Sequence, residues 1–127
     1  MRSPVTAAIL VLTLLATPAV GQEATAPPYQ SSLLRLSEIL GSIHYLRELC
    51  GSDEGNMWRD QMQALMDAES PDFLRRLQLA DRFNRGYDSY RSVYVSCTPS
   101  ARLTIDRFME EGALLAGEIV ARYGDDG

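Results

Sequence analysis

The sequence predicts an all-α domain: a disulfide-stapled antiparallel bundle of four helices, or five if the third one divides. Three observations lead there. Apolar residues recur at steps of three and four in four successive segments. The breaks between those segments carry turn and cap residues, among them Ser70-Pro71 and Thr98-Pro99. The two cysteines, Cys50 and Cys97, fall where the first and third helices are expected to end. Only residues 90–95 offer a competing strand pattern, and that run is too short to make a sheet alone.

The first helix sets Leu33, Leu36, Leu40, Ile43, Leu46 and Cys50 on one face, with Ser37, Gly41, His44 and Glu48 on another. Gly51 stops it within a turn-rich stretch, Gly51-Ser52-Asp53-Glu54-Gly55-Asn56. A shorter second helix follows, with Trp58, Met62 and Leu65 inward and Asp53 or Asn56 as its cap. Ser70-Pro71 closes it and opens the third, because a proline in the first turn lacks only an N–H that would be orphaned there.

In the third helix Leu77, Ala80, Phe83, Tyr87, Tyr90, Tyr94 and Cys97 form the inward stripe. Gly86 is its weak point, since a mid-helix glycine costs about 1 kcal/mol relative to alanine and invites a kink or a split. Thr98-Pro99 repeats the cap signal, and the fourth helix turns Ala101, Ile105, Phe108, Gly112, Leu115 and Ile119 inward before ending at Gly124. Gly112 and Ala116 leave room for a neighbouring helix. Arg107 with Glu111, and Glu118 with Arg122, are i,i+4 pairs worth about 0.2–0.5 kcal/mol each.

The first thirty residues read as an address and a leader. Arg2 followed by the apolar run 5–16 and the small residues Ala19-Val20-Gly21 matches a secretory signal, with cleavage before Gln22. Residues 1–21 are therefore the expected signal peptide, 22–30 a flexible leader containing Pro27-Pro28, 31–124 the helical domain and 125–127 an acidic tail. The protein is expected to be periplasmic. In that oxidising compartment a Cys50–Cys97 bond is the default, and it suits the bundle because the first and third helices run parallel and end at one pole. Closing so long a loop is worth about 4 kcal/mol on the chain-entropy model.

Twelve arginines, no lysine and 17 acidic residues give a net charge of −5, which disfavours nucleic acid and anionic lipid as partners. Past the signal no run reaches the roughly 18 apolar residues of a membrane span. Catalytic patterns are missing as well. His44 is the sole histidine and shares a face with Glu48 four residues on, which reads as a solvated imidazole beside a carboxylate. Two cysteines and one distant histidine are too few for a metal site, no serine sits in a nucleophile elbow, and no cofactor motif occurs. The segment Arg82-Phe83-Asn84-Arg85-Gly86-Tyr87, continued by Asp88, Tyr90 and Arg91, stands out. Its aromatic residues fit the bundle seam, and its arginines and tyrosine edges fit a recognition surface. Arg59, Arg82, Asn84, Tyr87 and Arg91 are the candidate interaction residues.

Tyr45-Leu46-Arg47 ahead of Cys50-Gly51, then Trp58-Arg59, then the 82–87 run, then Cys97-Thr98-Pro99 are similar, in that order, to a family of small exported alphaproteobacterial proteins of unknown function. The resemblance covers about residues 31–124 and implies a periplasmic helical domain with one cysteine pair; it brings no activity with it. The expected role is a non-enzymatic accessory module docking an envelope protein or a peptidoglycan-associated enzyme. A periplasmic holdase chaperone is the alternative, and an enzyme with a polar cleft of Arg59, Asn84 and Arg91 comes third.

Overall fold

The first helix carries the other three. In the computed structural model, which describes residues 26–124, α1 (Gln30–Leu49), α2 (Met57–Glu69), α3 (Phe73–Val93) and α4 (Pro99–Tyr123) follow one another with no strand among the described residues. Each of the last three packs on α1. The expected signal peptide, most of the leader and the acidic tail lie outside the described residues.

Cross-links fix the directions. Arg75 Nε donates to Gln30 Oε1 at 2.9 Å, Arg82 meets Glu38 at 3.3 Å, and the Tyr45 hydroxyl donates to the Tyr94 carbonyl, so α1 and α3 advance in step. At the far end Cys50 and Cys97 are bonded, with their Cα atoms 4.9 Å apart and 47 residues between them in sequence. On α4, Arg35 of α1 grips the Glu111 carboxylate with two bonds of 2.8 and 2.9 Å, and Tyr123 lies 4.9 Å from Tyr29, ring to ring, which makes α4 antiparallel to α1. Up-down-up-down topology is therefore observed, with helix α1 as a hub.

The hub position explains where the core departs from expectation. Leu33, Ile43 and Leu46 are buried as predicted, but so are Ile39, Ser37, Gly41, Ser42 and His44, because α3 covers the face that reads as polar. Ser37 and Ser42 satisfy themselves by donating to the carbonyls of Leu33 and Glu38, each at 2.8 Å. His44 is only 6% exposed and lies against the rings of Phe83 and Tyr87, so the solvated histidine is corrected to a buried one.

The third helix is unbroken, and Gly86 is a contact instead of a hinge. A Cβ there would stand 2.1 Å from the Glu38 carbonyl oxygen, and one at Gly41 would stand 1.9 Å from the Phe83 carbonyl oxygen. These two glycines let the backbones of α1 and α3 touch. Gly112, expected to allow such an approach, faces only side chains, Ile39 at 3.3 Å and Leu36 at 3.8 Å. The buried line of α3 is Leu79, Phe83 and Gly86, while Leu77 is exposed, a rotation of the predicted stripe that brings the glycine inward. Cys97 sits past the end of α3, in the loop leading to α4.

Caps follow the chain chemistry with one change. Thr98 accepts from the Ala101 N–H, with Pro99 in the first turn as expected. For α3 the cap is Asp72, accepting from Arg75 N–H at 2.8 Å, whereas Ser70 ends α2 in a left-handed conformation. In α2 the buried residues are Met62 and Met66; Trp58 and Leu65 are half-buried at the flanks. Glu111 serves Arg35 across helices, not Arg107 along its own.

Candidate functional site

Two buried methionines are a narrow footing for α2, and cavities open on both sides of it. Toward α4 lies an apolar groove of about 420 Å³, floored by Leu36, Leu40 and Ile43 and walled by Trp58, Leu65 and Met109. On the α3 side a polar cleft of about 410 Å³ opens where the α1–α2 turn meets Tyr87, and a smaller groove of about 260 Å³ runs on from Arg59 past Met66 to Asn84.

The polar cleft is organised by a closed clamp and a set of uncommitted groups. In the clamp, Arg47 holds the Glu54 carboxylate with both arms of its guanidinium, and Trp58 Nε1 donates to the same carboxylate at 2.7 Å. That clamp fixes the turn between α1 and α2 and keeps the Glu54 carboxyl below the usual carboxylate range, with the Arg47 bonds as the main cause.

The uncommitted groups face it. His44 makes no hydrogen bond among the described residues, although it is more than nine-tenths buried and lines the cleft. Burial first, and the nearby Arg59 guanidinium second, hold its imidazole below the ordinary histidine value, against a smaller pull from Glu48. At neutral pH this ring is uncharged. Arg59 forms no ion pair among the described residues, and the Tyr87 hydroxyl has no hydrogen-bond partner there. Asn56 occupies the N-cap of α2 without a side-chain capping bond, and the N–H groups of Trp58 and Arg59 find no acceptor among the described residues. Glu48 and Asp53 stand exposed at the rim.

Of the residues singled out in the sequence, Arg59, Asn84 and Tyr87 come together along the α2–α3 side: Arg59 lines the cleft with Tyr87 and the smaller groove with Asn84. Arg82 points to another side, against Glu38, and Arg91 pairs with Asp88 of its own helix at 3.4 Å while remaining exposed. The convergence of Arg59, Asn84 and Arg91 is not formed. His44, which sequence reasoning set aside, is the group at the back of the cleft. The signal available for it was its neighbourhood: Ser37, Gly41 and His44 share a face of small residues on which another helix could lie. Among the described residues no cluster of three or more His, Cys, Asp or Glu side chains is placed to hold a metal ion, and no helix is long and apolar enough to cross a membrane.

No curated protein and no solved structure matches the chain. A family model described as Protein of unknown function (DUF2385) matches residues 28–123, and the chain belongs to that family.

Proposed function

We propose that this member of the family is a periplasmic, non-enzymatic binding module that docks an envelope protein or a peptidoglycan-associated enzyme through the α2–α3 side. One observation carries the reading: Arg59, Tyr87 and Asn84 line adjoining cavities while making no hydrogen bond or ion pair among the described residues. Arginine and tyrosine are the side chains that most often anchor interfaces. The Cys50–Cys97 bond supports an oxidising compartment, in line with the secretory pattern of residues 1–21. Binding is favoured over catalysis because His44, the one histidine, lies against aromatic rings, with no hydroxyl or thiol of the described residues hydrogen-bonded to it.

Co-purification from native envelope, read by mass spectrometry, tests the proposal. A defined set of proteins should be captured by the natural chain and by Arg91→Ala, and lost with Arg59→Ala at unchanged melting temperature. Equal capture by all three, or none by any, overturns it.

The apolar groove beside α4 favours a second reading, a holdase-type chaperone. In that case Met109→Glu, which puts a charge on the groove wall, should abolish protection of an aggregating client, while Arg59→Ala leaves it intact.

A further inference from the structure

The docking reading leaves open what the polar cleft itself holds. We propose that it binds a small zwitterion, a dipeptide-sized molecule with one ammonium and one carboxylate, whose carboxylate sits at the N-terminus of α2 and whose ammonium lies toward Glu48 and Asp53. The proposal rests on the binding reading and names its ligand class.

The carboxylate end is defined by donors without acceptors. Among the described residues the first turn of α2 has no side-chain cap, and the Trp58 and Arg59 N–H groups have no acceptor, at the positive end of the helix dipole. Arg59 borders the same cavity and has no ion pair among the described residues, unlike Arg47, which Glu54 engages. A guanidinium and a helix N-terminus together match a planar carboxylate.

A helix end alone would prove little. The independent observation is His44, more than nine-tenths buried, lining the cavity and without a hydrogen bond among the described residues. A neutral imidazole offers one donor and one acceptor, and the His44 nitrogens are not fully enclosed, so a ligand in the cleft can reach them. The Tyr87 hydroxyl, half-buried on the same wall, also has no hydrogen-bond partner among the described residues.

Charge balance then selects the ligand. Glu48, Asp53 and Glu54 against Arg47 and Arg59 leave the cleft with more acid than base, so a simple anion would meet repulsion at the rim. A molecule that brings its own ammonium answers both ends. The volume of about 410 Å³ is in the small-molecule range and the aromatic wall of Trp58 and Tyr87 gives the intervening chain a surface to lie on.

The chain contains one histidine and one tryptophan, and both line this cleft, so the site reports on itself. Alanyl-alanine should shift the single imidazole signal in NMR and the tryptophan fluorescence along one saturation curve. N-acetylation or C-amidation of the dipeptide, and Arg59→Gln or Glu48→Gln in the protein, should each weaken binding at least tenfold. Circular dichroism and melting temperature confirm that the variants are folded. No response to the dipeptide overturns the proposal, and so does equal binding of the blocked forms or of inorganic phosphate. Arg59-dependent capture of envelope proteins without any dipeptide response would leave the docking reading standing and remove this one; a dipeptide response without such capture does the reverse.

Discussion

The two seams that α1 makes with α3 and with α2 differ in kind. Along the first, glycines bring backbone against backbone, and a disulfide closes one end. Along the second, two methionines are buried, the turn is held by the Arg47–Glu54–Trp58 clamp, and cavities lie on either flank. Methionine fills irregular space without defining it, whereas a glycine crossing admits only one spacing. The rigid seam is thus a frame, and the loosely seated helix is where cavities open beside it.

Breaking the frame should cost the most. Replacing Cys50 and Cys97 by serine should lower stability by about 4 kcal/mol, since a loop of 47 residues is released in the unfolded chain; chemical denaturation of the purified variant measures it. Gly86→Ala comes next. Helix propensity alone would make it a gain of about 1 kcal/mol, but the added Cβ would collide with the Glu38 carbonyl, so a loss of about 3 kcal/mol is expected. A stabilised Gly86→Ala protein would mean that the backbones do not touch.

The same substitution sharpens the contrast when it is made elsewhere. Gly117 lies in α4 with nothing within 4 Å of an added Cβ, and Gly117→Ala should raise stability by up to about 1 kcal/mol. On the looser side the effect is one of pH. The folded His44 imidazole is held below 6.5 while the unfolded chain takes up its proton near that value, so stability is full above pH 6.5 and falls as pH drops toward the folded value. His44→Asn should flatten that slope, leaving the decline below pH 4.5 in which Glu54 and Glu111, whose carboxyls are held low by Arg47 and Arg35, become protonated. Thermal melts across pH 4–8 separate the two windows. Least affected should be Asn84→Ala and Arg91→Ala, both exposed, at about 0.5 kcal/mol or less. A loss several times larger would make Asn84 a structural group and remove it from the recognition surface.

These contrasts also show what was legible in the chain. Helix periodicity, Thr98-Pro99 and the cysteine pair carried the architecture, because local patterning and cap chemistry are properties of neighbouring residues. Bulk is a poor guide to the inward face of α3: the tyrosines draw the stripe toward Leu77, while Gly86, which meets the α1 backbone, has no side chain to signal it. His44 was lost for a related reason. A two-faced reading of α1 cannot anticipate a helix that is covered on several sides, and the pairing with Glu48 looked sufficient. Arg59, Asn84 and Tyr87 were found by residue type, but their separation from Arg82 and Arg91 depends on which way each helix turns.

The ring contact between Tyr29 and Tyr123 gives the molecule an orientation. Residues 26–29 and the end of α4 lie together at one pole, and the cleft lies at the other, about 30 Å away along the 20 residues of α1. Anything attached at either end of the described chain, an affinity tag, a surface linker or a fusion partner, therefore presents the cleft outward. Immobilisation through an end is the arrangement that leaves Arg59 and the mouth of the cleft open to the medium.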